Sequence, residues 1–499
     1  MEKENSLENA IFEKLLNSND WYVKKMLAYN KNTPSNVLEK LSKNTTVEIR
    51  FAIASNPNTP SNVLDNFSND EDKWVREKVA QNPNTLPETL IKLSQDEDFF
   101  VRRLALSAPK IPIDILEKFS NSKNADERAG VASNPKTPVN ILRKLAKDED
   151  DEVRRIVVHN EQTPIDLLNQ LSQDENNTVR FNVAFDEKTT PEILMNLAKD
   201  KKWWVRAEVA SNPHTTPETL EKLSEDEEWK VRQKVAKNSK TPVDILEKLS
   251  QDKQPEVKQA VASNPSTLTE ALERLADEKY EFIKQTIAYR ASTPKDILRK
   301  LFKEKRLKEI IASNPNTPTE ILKELSQDED VKHLVATNPS TPVDVLRKLA
   351  DNGGYDLKTS VANNPSTPID ILEKLSQEKR VYGKFRLAND NDEWAKQAVA
   401  RNPSTPAHVL DKLADEKEDS SVRYYVSYNP NTDVKTLEKL SNDDYWEVRA
   451  QVAKNPKTPA KVLTKLAEDE EKVVKRELAK NPSFGKATYG QDKTISPTM

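Results

Sequence analysis

The chain has 499 residues, of which 35% are hydrophobic and 32% charged, with 6 glycines, 30 prolines, no cysteine and a net charge of -4. The lack of cysteine excludes disulfides, thiolate metal sites, iron–sulfur clusters and a cysteine nucleophile, and the near-neutral charge gives no global field that attracts nucleic acid. No signal peptide or membrane-spanning apolar run is found, so we expect a cytoplasmic protein without membrane contact, metal or cofactor.

The first predicted element is a lone helix near the start of the chain. Ile11, Phe12 and Leu15 have the spacing of one apolar helical stripe. They fit the second helix of the repeat that follows, so the predicted stack begins with a half-repeat that caps it. Residues 1–29 are assigned to this cap and the first half-repeat.

A repeat of roughly 26 residues, a period typical of helical arrays, then fills most of the chain. Each copy is anchored on the residue in the asparagine position of an Asn-Pro pair, and fifteen of the nineteen anchors are asparagine. The anchors fall at 30, 56, 82, 108, 134, 160, 186, 212, 238, 264, 290, 314, 338, 364, 390, 402, 429, 455 and 481. We expect regular repeats over 30–350 and 402–482, because stacked repeats bury each other's apolar stripes in one continuous core.

Each copy is predicted to contain two helices. The first is expected to be short, α or 3₁₀, and to end at the anchor, because a residue before proline is pushed out of the α region. The second begins at a threonine such as Thr163, which we expect to cap the helix by accepting hydrogen bonds from its free amides. The anchor asparagine is expected to hydrogen-bond into the neighbouring turn. The fold class is all-α, an α-solenoid of about nineteen repeats.

The stretch 351–401 departs from this pattern. The anchors at 290, 314 and 338, which precede it, are more closely spaced than the regular ones, and those at 390 and 402 are closest of all. We interpret this as the loss of one second helix, with two first helices in tandem. Gly353, Gly354 and Gly383 predict a kink or hinge here. Drift and a functional site both stay open as explanations, and residues 483–499 are expected to form a flexible tail.

The repeat pattern VRxxVAxNPxTPxxVLxKLAxDED resembles the leucine-rich repeat variant family of bacterial proteins and, more loosely, HEAT-like repeats. The string IASNPNTPSNVL at 53–64 and its copies carry this resemblance, which covers roughly residues 6–482. It implies a right-handed superhelix of alternating α- and 3₁₀-helices, and it implies no biochemical activity. Some family members carry a cysteine-rich iron–sulfur segment, which does not apply to a chain without cysteine.

A lysine or arginine stands six residues before every anchor, and in many copies an aspartate stands six residues before it. At about 100° per residue the cation falls inside the buried arc of its helix, where it needs an acidic partner. We therefore predict a structural Asp–Arg ladder that links repeats, rather than a row of cations that tracks phosphates. Its predicted members are Arg76, Arg102, Arg154, Arg180, Arg206, Arg232, Asp70, Asp96, Asp148, Asp174, Asp200 and Asp226.

Aromatic residues cluster where the first helix begins, in only some of the copies. They favour either packing across the junction between repeats or anchoring of a partner. The candidate partner-binding residues are Trp74, Phe99, Phe100, Trp203, Trp204, Trp229, Trp394 and Trp446.

The function predicted from these features is that of a non-enzymatic protein-binding scaffold. The sequence has no GxSxG, HExxH or P-loop motif, and its acidic loops lack the calcium-binding pattern. One alternative is a nucleic-acid-binding solenoid of the HEAT-like DNA glycosylase type, which the evenly alternating charge disfavours. Another is a purely structural spacer. We expect the partner to be another protein or a peptide, and the oligomeric state stays open.

Overall fold

The computed structural model describes residues 11–43, 46–377, 394–417 and 419–481. These residues form helices joined by short turns, with no strand among them, and the fold is an α-solenoid. The chain divides by its internal contacts into two units. The first unit comprises Met1–Thr85 and Thr319–Met499, and the second unit comprises Leu86–Pro318.

Every described repeat consists of an A helix, which ends just before the anchor, and a B helix, which follows it. The A helices of the first unit are Trp21–Tyr29, Val47–Ser55, Lys73–Gln81, Lys332–Thr337, Tyr355–Asn363, Trp394–Arg401, Ser420–Tyr428, Trp446–Lys454 and Lys472–Ala479. Its B helices are 11–16, Ser35–Leu41, Ser61–Phe67, Thr319–Leu325, Val343–Asn352, Ile369–Ser376, Ala407–Leu413, Val434–Leu440 and Ala460–Leu466.

The second unit repeats this arrangement. Its A helices are Phe99–Ser107, Ala125–Ser133, Asp151–His159, Asn177–Phe185, Trp203–Ser211, Trp229–Lys237, Pro255–Ser263, Glu281–Tyr289 and Lys308–Ser313. Its B helices are Pro87–Leu93, Ile113–Phe119, Val139–Leu145, Ile165–Leu171, Pro191–Leu197, Pro217–Leu223, Val243–Leu249, Thr269–Leu275 and Lys295–Leu301.

The A helix is longer than the sequence pattern predicts. A regular A helix such as Asp151–His159 is α-helical over 9 residues, whereas the B helix Ile165–Leu171 has 7. The prediction of a short or 3₁₀ first helix is therefore wrong. The extra turn comes from polar residues before the apolar stripe, where an acid such as Asp98 accepts a hydrogen bond from the amide of Phe100 at 2.9 Å. Within the described ranges, 3₁₀ geometry is confined to Lys305–Leu307.

In the described repeat anchored at Asn160, the threonine three residues after the anchor does not cap the B helix. The N-cap of Ile165–Leu171 is Pro164, and no side chain bonds the free amides there. Thr163 instead donates its hydroxyl to the carbonyl oxygen of Val157, at 2.5 Å, in the last turn of the preceding A helix. The predicted cap is wrong because a hydroxyl donates as readily as it accepts, and here it ties the A helix to the B helix.

The core of each unit is built from the apolar stripes of both helix types. In one repeat the A helix buries Val153, Val157 and Val158, and the B helix buries Leu168 and Leu171. Burying one such side chain stabilises the fold by about 1.5–3 kcal/mol.

The anchor asparagines connect successive repeats through buried hydrogen bonds. Asn160 ends its A helix with extended backbone angles. Its Nδ2 donates to the carbonyls of Ala132 at 2.7 Å and Asn134 at 2.8 Å, both in the preceding repeat. Its Oδ1 accepts from the amide of Gln162 at 2.9 Å. The carbonyls at the end of one A helix, which have no partner in their own helix, are thus satisfied by the next repeat.

Two anchors that are not asparagine show how the bonds are replaced. At Asp186, the ammonium of Lys188 donates to the carbonyls of Val158 at 3.1 Å and Asn160 at 2.5 Å. At Arg290, one guanidinium nitrogen donates to the carbonyls of Ala262 and Asn264 at 3.2 and 2.6 Å. A cation therefore substitutes for the amide at these anchors.

Two local features distinguish the repeats between anchors 290 and 364. The two shortened spacings, from 290 to 314 and from 314 to 338, arise from the short A helices Lys308–Ser313 and Lys332–Thr337, each of 6 residues. Gly353 ends the extended B helix Val343–Asn352, and a Cβ there would lie 2.4 Å from the carbonyl oxygen of Leu349, so only glycine fits.

The repeat ending at Asn402 packs directly on the repeat ending at Asn364. Asn402 donates to the carbonyls of Ala362 at 2.6 Å and Asn364 at 3.0 Å, as regular neighbours do. The first of the two predicted tandem helices, before the anchor at 390, lies outside the described residues, so the interpretation of a lost second helix stays a prediction. The anchor at 390, Gly383 and the predicted tail at 483–499 lie outside the described residues.

Candidate partner-binding surface

The predicted Asp–Arg ladder residues form ion pairs between repeats, with the carboxylate supplied by the following repeat. Arg154 donates from Nε and Nη2 to the carboxylate of Asp174 at 2.8 and 2.9 Å. Its Nη1 donates to the carbonyl oxygen of Asp148, the aspartate six residues earlier, at 2.7 Å. A regular ladder aspartate therefore accepts from two arginines, with its side chain from one and with its main chain from the next.

Most other predicted ladder residues repeat this geometry. The Nε–Oδ2 distances are 2.6 Å for Arg50–Asp70, 2.6 Å for Arg180–Asp200, 2.6 Å for Arg206–Asp226 and 2.7 Å for Arg232–Asp252. Arg76 donates to the carbonyl of Asp70 at 2.8 Å. Arg102 donates to the carbonyl of Asp96 at 2.7 Å but pairs with the carboxylate of Glu127, because Ser122 replaces the aspartate there.

These pairs hold the arginines inside the stack. Arg154 is only 7% exposed, and the bond to Asp174 raises the pKa of its guanidinium. Burial raises the pKa of the Asp148 carboxyl, but the hydrogen bonds from Arg128 and from the amide of Asp150, together with the charges of Arg128 and Arg154, outweigh it and hold the pKa below its ordinary value. The ladder cations are directed at carboxylates of the protein itself, so they are not presented to an external partner.

The candidate aromatic residues occupy the first two positions of their A helices. Trp74, Phe99, Phe100, Trp394 and Trp446 are exposed, with exposed fractions from 37% for Trp446 to 55% for Trp74. Phe99 and Phe100 stack on each other with ring centroids 4.1 Å apart. Trp74, Trp394 and Trp446 stand on three separate repeats of the first unit.

The other three tryptophans form one cluster with two lysines. The rings of Trp203 and Trp204 meet edge to face, with centroids 5.8 Å apart. The Lys230 ammonium lies 4.6 Å from the Trp203 ring and 5.8 Å from the Trp229 ring, so it bridges two successive repeats. Lys202 lies 5.2 Å from the Trp204 ring. We call these five residues the Trp–Lys cluster. The tryptophans are half-buried and both lysines are exposed.

A second set of exposed aromatic residues is absent from the sequence-based candidates. Tyr29, Phe185, Tyr289 and Tyr428 stand at the last position of their A helices, immediately before the anchor. Their position is the signal that identifies them. Each one immediately precedes an anchor, and in most other copies the residue at this position is polar or small. In the first unit, Tyr29, Phe51 and Trp74 line an open groove of about 320 Å³ together with Lys25, Val47, Glu48 and Asp72.

One histidine of the second unit pairs with an aspartate of the next repeat. His159 Nδ1 lies 3.0 Å from Asp186 Oδ2, and Nε2 lies 2.8 Å from Asn182 Oδ1. The hydrogen bond to Asp186 raises the pKa of the imidazole above its ordinary value, although burial acts against this. Since the pair joins two neighbouring repeats, protonation of His159 stabilises that junction.

We expect the stabilisation by His159 to be lost as the pH rises. A histidine with a raised pKa in the folded state contributes fully below its unfolded pKa and loses this contribution as the pH passes the folded pKa. The effect is at most about 1 kcal/mol, because the pair is partly solvated. Urea unfolding of the native chain and of His159→Gln from pH 5.5 to pH 9 should therefore converge with rising pH. A constant difference would show that the charge has no role.

Comparison with known proteins identifies a family model that matches two stretches of the chain. Residues 203–228 and 446–471 match the family model described as leucine rich repeat variant. Among solved structures, the chain is similar to a leucine-rich repeat variant with a novel repetitive structural motif, at 27% identity over 44% of this chain and 86% of that chain, with a TM-score of 0.35. No curated protein matches the chain.

Two larger helical proteins are also similar to the chain. Importin β, in an ammonium sulfate condition, matches at 11% identity over 96% of this chain and 69% of that chain, with a TM-score of 0.27. Kap95p, in a structure concerned with its binding of RanGDP, matches at 10% identity over 93% of this chain and 72% of that chain, with a TM-score of 0.26. Among the described helices, none has the length and apolar character needed to cross a bilayer.

Proposed function

Since the repeats of this chain are leucine-rich repeat variant repeats stacked in an α-solenoid, we propose that it is a non-enzymatic scaffold that binds another protein. The observation that carries the proposal is the Trp–Lys cluster, in which Trp203 meets Trp204 and Lys230 links Trp203 to Trp229 of the next repeat. Tryptophan is the side chain most enriched among residues that dominate binding energy at protein interfaces.

The cluster is suited to an acidic, partly apolar segment of a partner. Lys202 and Lys230 are exposed and meet no carboxylate closer than 4.0 Å among the described ion pairs, so their charge is directed at the rings and at solvent. An acidic side chain of a partner can pair with these ammonium groups while a neighbouring apolar side chain covers the tryptophan edges. Electrostatic complementarity of this kind speeds association and selects the partner.

The same geometry disfavours nucleic acid as the partner. One face of each tryptophan ring already lies beneath a lysine, which competes with the stacking of a base. The adjoining loop carries exposed Glu225 and Glu227, so Lys202 and Lys230 do not extend into the longer row of cations that a phosphate backbone would follow. Binding to nucleic acid rests mainly on such phosphate contacts.

The test compares the native full-length chain with three variants in an affinity pull-down, followed by titration of the purified partner. We expect Trp203→Ala/Trp204→Ala/Trp229→Ala to weaken binding at least about thirtyfold, as for loss of a central aromatic anchor. Lys202→Gln/Lys230→Gln should weaken binding less and flatten its salt dependence, because it keeps the rings and removes two charges. Trp446→Ala is the matched control, since Trp446 begins an A helix without belonging to the cluster.

Because the three tryptophans are half-buried, circular dichroism melting of each variant separates lost binding from lost folding. Equal binding by the triple tryptophan variant and the native chain would contradict the assignment of the cluster. Recovery of nucleic acid alone would favour the nucleic-acid-binding alternative. Absence of any saturable partner would favour a structural spacer.

A further inference from the structure

The two ends of the described array share one repeat. The A helix Lys472–Ala479 leads to Asn481, where the described chain ends, and residues 11–16 form a B helix at the start of the described chain. Ile11, Phe12 and Leu15 are nevertheless fully buried. They hold the same repeat positions as Val37, Leu38 and Leu41, the buried stripe of the next B helix.

The ion pairs on both sides of residues 11–16 show which position this helix fills. In regular repeats, Lys248 on one B helix pairs with Glu225, in the loop after the preceding B helix. Lys14 pairs in the same way with Glu468, which follows the B helix Ala460–Leu466. On the other side, Lys40 pairs with Glu13, as Arg274 pairs with Glu247. Residues 11–16 therefore lie between the B helices Ala460–Leu466 and Ser35–Leu41.

The A helices meet at the same place. Trp21–Tyr29 packs against Lys472–Ala479, and Asn30 donates from Nδ2 to the carbonyl of Ala479 at 2.8 Å. This bond matches that from Asn56 to the carbonyl of Ala28 at 2.7 Å in the next repeat. The A helix Lys472–Ala479 and the B helix 11–16 thus make one repeat from two distant segments. We call their contact, with the flanking helices Trp21–Tyr29 and Ala460–Leu466, the joint.

The joint also has an ion pair that lies outside the Asp–Arg ladder. Arg476 Nε donates to Asp20 Oδ2 at 2.8 Å, and its guanidinium lies 4.9 Å from the ring of Tyr22. Asp20 is buried and also caps the helix Trp21–Tyr29 by accepting from the amide of Tyr22. Arg476 stands five residues before its anchor rather than six, so this pair can be changed without altering the regular ladder.

We infer that the joint is a head-to-tail interaction surface that also fits a second copy of this chain. Its two sides are complementary to each other and not to themselves, and such a heterologous contact can form within one chain or between two. Within one chain the intervening repeats hold the two sides together, so their contact is intramolecular and the single chain prevails at micromolar concentration. When the joint opens, two chains can exchange these ends and form two equivalent joints.

A cysteine pair tests the joint within one chain. The protein has no cysteine, so Lys14→Cys/Glu468→Cys can be cross-linked with a short bis-maleimide without background. Lys248→Cys/Glu225→Cys is the matched control, because this pair occupies the equivalent positions in a regular junction. We expect both variants to give an internally cross-linked monomer in similar yield. Cross-linking of the control pair alone would overturn the joint.

Charge exchange tests the second copy. One variant carries Lys14→Glu/Asp20→Lys and the other Glu468→Lys/Arg476→Glu, so each chain alone has a mismatched joint. A mixture can form a heterodimer with one native joint and one charge-exchanged joint. We expect the mixture, but neither variant alone, to give a species of twice the 56.8 kDa chain mass in sedimentation. If the mixture stays monomeric at concentrations up to about 100 μM while circular dichroism shows folded chains, exchange with a second copy is excluded.

Discussion

Asp174→Asn is expected to lower the free energy of unfolding by about 3 kcal/mol, at the lower end of the range for breaking a buried ion pair. Asparagine keeps an oxygen for the amide of Asn176, which Asp174 accepts at 2.8 Å. It removes the negative charge that faces Arg154, whose guanidinium is buried and donates to both carboxylate oxygens. The lower free energy of unfolding is therefore caused by the unpaired charge of buried Arg154 and not by disruption of the turn at Asn176.

The matched control is Asp166→Asn, which breaks the exposed pair between Arg143 and Asp166 at 2.6 Å. An exposed pair of this kind contributes little to stability, because solvent screens both charges. Urea unfolding gives both values, and hydrogen exchange across 148–176 locates the effect at the affected junction. The variant Arg154→Met/Asp174→Leu should recover most of the loss, because apolar residues replace both charges. Equal effects of Asp174→Asn and Asp166→Asn would contradict a buried ladder.

Asn134→Ala is expected to destabilise the protein by about 3–4 kcal/mol, because each buried polar group left without a partner costs about 1–3 kcal/mol. Asn134 is fully buried and donates to the carbonyls of Leu106 at 2.8 Å and Ala108 at 2.7 Å. Its Oδ1 also accepts from the amide of Lys136. Alanine removes all three hydrogen bonds at one repeat junction, and urea unfolding measures the loss.

At anchor Asp186, the ammonium of Lys188 donates in place of an asparagine amide, and this allows a more specific prediction. Lys136 holds the same position after Asn134 that Lys188 holds after Asp186, whereas Gln162 follows Asn160. Asn134→Asp should therefore cost only about 1 kcal/mol, since Lys136 can supply the lost donors. Asn160→Asp lacks such a cation and should cost about 3 kcal/mol, as for unsatisfied buried carbonyls. The reverse order of these two variants would refute the substitution of a cation for the amide.

The repeat, its two helices and its apolar stripes are predictable from the sequence because the same pattern recurs in copy after copy. The direction of individual bonds is not. The pattern places an aspartate six residues before many of the arginines. Arg154 nevertheless binds the carboxylate of Asp174 in the next repeat, because the stacking of repeats brings that carboxylate to the guanidinium. The hydroxyl of Thr163 is likewise compatible with capping or with donation, and only the packed A helix decides between them.

The candidate surface is predictable in part. The tryptophans are conspicuous in the sequence, but their meeting with Lys202 and Lys230 depends on how successive A helices align. The joint is beyond sequence reasoning for a different reason. Ile11, Phe12 and Leu15 predict a B helix, but no local signal identifies Lys472–Ala479 as its partner, since every A helix of the array offers a similar face.

The joint also sets the order in which the protein can be completed during synthesis. Lys14 and Glu468 are 454 residues apart, and at roughly 5–20 residues per second the ribosome needs on the order of 20–90 s to traverse that distance. Each regular repeat can fold on its predecessor as it emerges, because its contacts are local. The helix that carries Phe12 must keep its apolar stripe uncovered until Lys472–Ala479 has been translated. Closure of the joint joins the most distant segments in the described part of the chain, which makes it the natural final step of folding.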